Sequence, residues 1–150
     1  MAVNDHYARM GALEPAAANL EVVREAYRQL ERGNEEGFLA AFAEDVVGYE
    51  ADSLPYGGAY PSKEGLRRMM HLMFNSWEKV SWNITELTAG GDLVVIHVIM
   101  TFTPRGGKAF DFPVTEVWRF RDGLAIELRP FYWDTKLIAD ALAAASSNNV

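Results

Sequence analysis

The chain has 150 residues, of which 49% are hydrophobic and 23% are charged, and its formal net charge at pH 7 is −7. These values are typical of one globular domain with a sizeable core. The acidic charge and the lack of a lysine- or arginine-rich run argue against nucleic acid as a partner. The chain contains no cysteine, which excludes disulfides, thiolate metal sites and a cysteine nucleophile.

The N-terminal segment is predicted to lie outside the folded domain. Residues 1–18 are rich in alanine and include Gly11 and Pro15, which favours a flexible arm followed by a single domain over residues 19–150. The segment lacks the basic start and apolar run of a signal peptide, and no apolar run reaches the length of a membrane span. We therefore expect a cytoplasmic protein without a membrane partner.

Two helices are predicted after this arm. Apolar residues recur at helical spacing from Leu20 to Leu30, and Asn19 is the expected N-cap of that helix. Gly33 is expected to end the helix, because glycine readily adopts the left-handed backbone of a helix terminus. Asn34 is then expected to cap a short second helix.

A short strand and a third helix follow. Residues 46–52 read as a strand that leads into a loop rich in turn-forming residues. Ser62 begins the third helix, whose apolar side chains form one stripe. The residues of this stripe are Leu66, Met69, Met70, Met73, Phe74 and Trp77.

The second half of the chain is predicted to form a sheet. Four strand-like runs are separated by glycine-bearing turns, which indicates an antiparallel meander. The runs lie at roughly residues 81–88, 92–103, 109–121 and 124–133. A last helix is predicted over residues 135–145, with Asp134 or Thr135 as its N-cap. Helices followed by a long antiparallel sheet indicate an α+β fold, in which the curved sheet and the third helix leave a cone with one open end.

The last two strands flank Asp122-Gly123, a strong signal of a two-residue hairpin turn. If residues 121 and 124 close the hairpin, Glu116 lies across from Arg129 and shares a face with it. A guanidinium at that place would favour the carboxylate form of Glu116 and lower its pKa. The same face would carry large aromatic side chains, as a mostly apolar ligand pocket does. These aromatics are Trp118, Phe120, Phe131 and Trp133.

Three segments carry a resemblance to a known family. They are GNEEGFLAAFAEDVV (33–47), LPYGGAYPSKEGL (54–66) and VWRFRDGLAIELRPFYWDT (117–135). Their sequences and order resemble the nuclear transport factor 2-like superfamily, in particular its ketosteroid isomerase and SnoaL-like polyketide cyclase branches. The resemblance implies a cone-shaped curved antiparallel sheet packed against three N-terminal helices, with a C-terminal helix. It does not imply one activity, because this fold hosts several.

The isomerase pattern, carried over onto this sequence, suggests four catalytic residues. The proton-shuttling carboxylate falls at Glu50 and the second acid at Glu116, where the isomerase has Asp at both places. The oxyanion tyrosine falls at Tyr27 after a slip of one residue. Arg129 stands at a position that is normally apolar in the isomerase, and it would either meet an anionic substrate or form a structural pair with Glu116.

The remaining candidates would contact a substrate. His97 lies in a strand with few polar residues, where it is a base if it faces the cavity and a hydrogen-bonded core or interface residue otherwise. Three candidates surround the first strand and the loop after it, namely Tyr49, Asp52 and Tyr56. The wall for a flat hydrophobic ligand would comprise Met70, Met73, Phe74, Trp77, Trp118, Phe131 and Trp133. Three dispersed histidines give no metal-ligand spacing, and neither a metal nor another cofactor is expected.

The leading hypothesis is cofactor-free proton transfer on a hydrophobic carbonyl compound, either isomerisation or aldol-type cyclisation, with Glu50 as the base. One alternative is a non-catalytic protein that binds a small hydrophobic ligand. Another is a water-using hydrolase or dehydratase, which requires His97 and a carboxylate within hydrogen-bond reach of one another.

The outer face of the sheet is also expected to be apolar. The candidate residues are Val95, Ile99, Ile126 and Leu128. Members of the superfamily often dimerise through this face, so the resemblance implies a homodimer formed through the sheet.

Overall fold

The computed structural model describes residues 13–147. Its first two helices lie against one face of the sheet. Helix α1 (Leu13–Glu31) buries Val23, Ala26 and Tyr27, which are three or four residues apart and therefore share one side. The helix begins earlier than predicted, because the apolar periodicity extends back to Ala16. Asn19 is consequently a buried residue inside α1 rather than its N-cap. Residues 1–12 of the predicted arm lie outside the described residues.

Helix α1 ends and the second helix begins as predicted. Gly33 has a φ of +72°, a left-handed conformation that favours glycine. The side chain of Asn34 accepts a hydrogen bond of 3.1 Å from the backbone N–H of Gly37 and so caps α2 (Glu35–Leu39). This sharp connection brings Phe38 of α2 against Tyr27 of α1.

The sheet has six strands in the order β2-β1-β6-β5-β4-β3. They are β1 (Phe42–Glu50), β2 (Gly58–Pro61), β3 (Lys79–Gly90), β4 (Leu93–Thr103), β5 (Phe110–Arg121) and β6 (Leu124–Tyr132). Strands β3 to β6 form the predicted antiparallel meander, whereas β1 pairs with β6 in parallel. The short edge strand β2 was not predicted. The architecture is therefore α+β, with one parallel pair in an otherwise antiparallel sheet.

Two further helices complete the fold. Helix α3 (Ser62–Asn75) packs against β1, and Gly48 allows the close approach, because a Cβ there would lie 2.8 Å from the Met69 sulfur. Helix α4 (Thr135–Ser147) is capped by Asp134, whose carboxylate accepts the backbone N–H groups of Lys136 and Leu137. None of the helices in the described part of the chain is long and apolar enough to cross a membrane.

The β5–β6 hairpin closes as predicted but contains a bulge. Arg121 pairs with Leu124, and Phe120 pairs with Ala125, but Arg119 then pairs with Glu127, which leaves Ile126 as an extra residue. A slip of one residue moves every later side chain to the other face of the sheet.

The predicted cross-strand pair is consequently wrong. Glu116 lies opposite Pro130, and Arg129 lies opposite Val117 with its side chain on the outer face. The bulge also corrects the predicted outer face, because Leu128 is only 5% exposed and belongs to the inner core. Val95 and Ile99 alternate with buried residues of β4 and do lie on the outer face.

Candidate active site

Glu50 is the last residue of β1, and its carboxyl group faces the interior. The residue is 7% exposed, and the hydroxyl of Tyr132 on β6 donates a hydrogen bond of 2.9 Å to its Oε2. Burial raises the pKa of Glu50 to about 8, and the nearby charge of Glu116 adds to this effect. The hydrogen bonds from Tyr132 and from the backbone of Ala51 oppose it, because they favour the carboxylate.

Glu116 is the second acid, and it projects from the middle of β5 towards the same interior. The hydroxyl of Tyr27 and the indole N–H of Trp118 both donate to its Oε2, at 2.6 Å and 3.0 Å. Burial raises the pKa of Glu116, while these two hydrogen bonds lower it. Because Oε2 accepts both bonds, the proton of a neutral Glu116 belongs on Oε1, from which it can be donated to a ligand.

The tyrosine that holds Glu116 is fixed by the core. Tyr27 is 6% exposed, and its ring packs against Phe38 and Trp118 at centroid distances of 6.2 Å and 6.0 Å. Burial and the neighbouring Glu116 raise the pKa of Tyr27 well above its usual value, so its hydroxyl stays protonated. Tyr27 therefore serves Glu116 as a permanent hydrogen-bond donor.

One cavity brings these groups together. Its polar lining residues are Glu50, Glu116, Tyr27 and Tyr132. The rest of the wall is apolar, formed by Leu30, Phe38, Met69, Met70, Met73, Phe74, Trp82, Met100, Val114, Leu128 and Pro130. Two acids thus face a space that offers few other polar partners, which is the surrounding that keeps a carboxyl group neutral.

The cavity encloses about 60 Å³, far less than the roughly 300–1,000 Å³ of common ligand pockets. Four methionines line it, and methionine has three rotatable side-chain bonds that let it fill irregular gaps. A ligand larger than a few water molecules must therefore displace these side chains.

A second, wider groove lies on the other side of Glu50. It encloses about 490 Å³ and also contacts Pro130 and Tyr132 of the inner cavity. Its wall includes Tyr49, Asp52, Arg129 and Phe131. The Arg129 guanidinium lies 3.7 Å from the centre of the Tyr49 ring and bonds to Glu127 at 2.9 Å. Glu50 therefore borders both the apolar inner cavity and the outer groove.

The candidates named from the sequence divide between these places. The inner cavity contains Tyr27, Glu50, Met70, Met73, Phe74 and Glu116. The outer groove contains Tyr49, Asp52, Arg129 and Phe131. Trp118 is fully buried behind Glu116, and Trp77 and Tyr56 belong to the adjacent core. Trp133 is 82% exposed and lines neither space, because the bulge in β6 reverses the face that was predicted for it.

His97 lies on the outer face of β4. Its side chain is exposed, and its Nδ1 lies 3.0 Å from the hydroxyl of Thr115. His97 therefore does not share the inner cavity with an acid, which the water-using alternative requires.

Sequence reasoning missed the hydrogen-bond partner of Glu50. Tyr132 was visible in the FYWD segment, but a regular hairpin places it on the outer face, and only the bulge turns it inward. Trp82 was also missed, although its alternation with exposed Ser81 and Asn83 is a signal for an inward side chain. Among residues 13–147, no three His, Cys, Asp or Glu side chains are grouped in a way that could hold a metal ion.

Comparisons with known proteins agree on the family and the fold. A sequence model of the SnoaL-like domain matches residues 23–128. A nuclear transport factor 2-like protein of unknown function from Burkholderia pseudomallei is 24% identical, with a TM-score of 0.77 over 83% of this chain and 97% of that one. No curated protein matches the chain.

Two further solved structures share the fold at 18% identity. A protein from Jannaschia sp., described as a SnoaL-like polyketide cyclase, has a TM-score of 0.73 over 87% of this chain and 95% of that one. A Mycobacterium tuberculosis protein, solved in complex with estradiol-17beta-hemisuccinate, has a TM-score of 0.63 over 79% and 95%. At this identity the likeness extends to the fold alone.

Proposed function

Since the chain belongs to the SnoaL-like domain family, we propose that it catalyses cofactor-free proton transfer on a small hydrophobic carbonyl compound. The reaction would be an isomerisation or an aldol-type cyclisation. The observation that carries this proposal is the pair of acids, buried Glu50 and half-buried Glu116, which line one apolar cavity in different hydrogen-bond environments. Acids whose surroundings differ in this way are suited to different roles in proton transfer.

Glu50 is the proposed base. Its carboxylate takes a proton from the carbon beside the substrate carbonyl, and the electron pair of the broken C–H bond moves to the carbonyl oxygen. In an isomerisation, Glu50 returns the proton to another carbon of the same compound. In a cyclisation, the enolate carbon bonds to a second carbonyl carbon, whose oxygen then receives the proton. The substrate and these residues supply and receive every proton and electron pair in these steps.

Glu116 is the proposed hydrogen-bond donor to the developing enolate. With Oε2 held by Tyr27 and Trp118, a neutral Glu116 presents its proton from Oε1. A neutral carboxylic acid that donates to an enolate is the role known from ketosteroid isomerase. Donors fixed before the reaction stabilise developing charge without having to reorganise, which makes them a large contribution to catalysis. Tyr27 acts through Glu116 and is a positioning residue.

The raised pKa of Glu50 suits this role. A base is most effective when its pKa lies near the working pH, and the Glu50 value of about 8 meets this condition. Since only the ionised form accepts a proton, turnover should rise with pH through about pH 8, as long as Glu116 keeps the proton that it donates.

The test is exchange of carbon-bound hydrogen, which needs no knowledge of the final product. Flat hydrophobic ketones are incubated with the protein in deuterated water, and deuterium uptake beside the carbonyl is followed by NMR. We expect Glu50→Gln to lower the exchange rate by about 10²–10⁴-fold while ligand affinity stays near that of the wild type. Glu127→Gln, which changes an acid on the outer face, is the matched control and should retain the rate. Full exchange by Glu50→Gln would remove Glu50 from the mechanism.

A second candidate function is binding without chemistry. The Mycobacterium tuberculosis protein of the same fold was solved with a steroid ester, which favours a ligand of that type for this cavity also. Calorimetric binding of such a ligand, with no deuterium uptake at any pH between 6 and 9, would support this function over catalysis.

A further inference from the structure

A row of buried polar side chains continues behind Glu50. Tyr132 donates to Glu50, and the hydroxyl of Tyr56 faces Tyr132 from the loop between β1 and β2. The indole N–H of Trp77, two residues after the end of α3, also faces Tyr56, and both residues belong to one core cluster. Tyr56 and Trp77 are 3% and 2% exposed, so water does not compete for these groups. The row therefore runs from Trp77 through Tyr56 and Tyr132 to Glu50.

The two inner members of this row have no completed hydrogen bond. Neither Tyr56 Oη nor Trp77 Nε1 has a hydrogen-bond partner among the described residues. A buried polar group without a partner is costly, so a small approach between them is favourable. The rest of each residue is held in place. The Tyr60 hydroxyl donates to the Tyr56 carbonyl at 2.6 Å, and the Trp77 ring stacks on Phe102 at 4.5 Å.

Hydrogen-bond chemistry gives this row a single direction. An indole N–H only donates, and an ionised carboxylate only accepts. The two phenols between them can each donate and accept one bond. With Glu50 ionised, every member is satisfied only if Trp77 donates to Tyr56, Tyr56 to Tyr132, and Tyr132 to Glu50. Hydrogen bonds in such a series strengthen one another.

We propose that Tyr132 and Tyr56 are positioning residues for Glu50, which orient its carboxyl group and favour its ionised form through a one-way series of donors beginning at Trp77. A role of this arrangement in catalysis rests on the proposed function of Glu50. The effect of the arrangement on the ionisation of Glu50 is independent of that function, because it can be measured without a substrate.

Several groups affect the ionisation of Glu50 at once, some of them favouring the carboxylate and others the neutral acid. Tyr132 from β6 and Tyr56 from the loop after β1 are the phenols on its side, and Glu116 from β5 is the nearby acid. Burial and the charge of Glu116 raise the pKa of Glu50, and the bond from Tyr132 lowers it. Removal of a phenol hydroxyl should therefore shift the balance further towards the neutral acid.

The experiment is an NMR titration of protein labelled with ¹³C at the glutamate carboxyl carbons. Tyr132→Phe removes the donor to Glu50, and we expect the Glu50 midpoint to rise by about one pH unit or more. Tyr56→Phe leaves that bond intact but removes the donor behind it, and a smaller rise is expected. Tyr49→Phe is the matched control, because it deletes a phenol hydroxyl next to Glu50 in the chain, from a ring that lines the outer groove and does not belong to the row.

The outcomes separate the possible explanations. An unchanged midpoint in Tyr56→Phe would overturn the role of Tyr56, and an unchanged midpoint in Tyr132→Phe would overturn the whole proposal. An equal rise in Tyr49→Phe and Tyr56→Phe would point to general disturbance around Glu50 and would also count against it. If the midpoints move as expected but no ketone exchanges deuterium, the proposed function fails and the donor series stands. If exchange is present, its pH profile should move with the same midpoints.

Discussion

Glu50 and Glu116 are the same residue type in the same cavity, yet they differ in what surrounds them. Glu116 receives two donors on one oxygen, both from fully packed side chains of α1 and β5. Glu50 accepts one hydrogen bond from a phenol hydroxyl and also borders the outer groove. Glu50 is 7% exposed and Glu116 is half-buried, so the two acids differ in their donors and in the spaces that they line. Glu50 lines both the inner cavity and the outer groove, whereas Glu116 lines only the inner cavity.

The two acids also influence each other. Their charges repel, and the charge of Glu116 raises the pKa of Glu50. Two interacting acids lose their protons in separate steps, so a state with one carboxylate and one neutral acid exists over a range of pH. The function proposed above requires a mixed state of this kind, in the form that has Glu50 as the carboxylate and Glu116 as the neutral donor.

The largest expected effect concerns stability. The pKa of Glu50 is about 8 in the folded protein and near 4.5 for a free carboxyl group, so folding takes up a proton between these values. The stabilisation is complete below about pH 4.5 and is lost as the pH rises to about 8. In this window the free energy of unfolding should fall by up to about 1.4 kcal/mol per pH unit.

Urea unfolding at several pH values measures this slope, and Glu50→Gln tests its origin. The variant should lose most of the decline and be more stable than the wild type at pH 8.5. Asp52→Asn, an exposed acid close by in the chain, should keep the wild-type slope. A steep decline that persists in Glu50→Gln would mean that another group, such as Glu116, takes up the proton.

The next prediction distinguishes a donor from a base at Glu116. Glutamine is neutral, can still accept from Tyr27 and Trp118, and can donate from its amide. We expect Glu116→Gln to keep the exchange rate within about 10-fold of the wild type, and Glu116→Leu to lose about 10²–10³-fold, as removal of an oxyanion donor does. The ratio of the two rates is the measurement. Equal and severe losses in both variants would require a charged Glu116 and would reverse the assigned roles.

The sequence predicts most of the elements but only part of the site. The meander and the hairpin turn follow from local signals, since glycine-bearing turns and alternating strands are short-range patterns. The parallel pairing of β1 with β6 joins residues far apart in the chain, and no local pattern specifies it. Glu50 and Glu116 were found through their place in a resemblance, but the sequence does not reveal what each one contacts.

The bulge at Ile126 accounts for the main error. An extra residue in a strand leaves composition and alternation almost unchanged, yet it reverses the face of everything that follows. The regular pattern placed Arg129, Phe131 and Trp133 inside, whereas the structure places Leu128, Pro130 and Tyr132 there. The predicted ion pair of Glu116 was thereby replaced by a pair of neutral donors, which changes the chemistry of the site.

A smaller effect is expected from Tyr27→Phe, which sharpens the description of Glu116. The ring contacts with Phe38 and Trp118 remain, so only one hydrogen bond to the carboxyl group is lost. We expect a loss of about 1 kcal/mol in the free energy of unfolding and about 10-fold in the exchange rate. Tyr49→Phe, on the outer side of β1, is the control and should change neither quantity. A 10³-fold loss in Tyr27→Phe would mean that Tyr27 contacts the substrate itself.

The smallest effect is expected at Arg129, where the regular hairpin and the bulged one lead to opposite results. A regular hairpin places its guanidinium beside Glu116, and Arg129→Gln would then raise the pKa of that acid and alter turnover strongly. In the bulged hairpin the Arg129 side chain is 40% exposed, forms an ion pair with Glu127 and lies over the Tyr49 ring. Pairs of this exposure contribute at most about 1 kcal/mol. Arg129→Gln should therefore change the exchange rate by less than about 2-fold and leave the Glu50 and Glu116 titrations in place. A large change in either would require that Arg129 reach the cavity, because a side chain confined to the outer face has no direct contact with these acids.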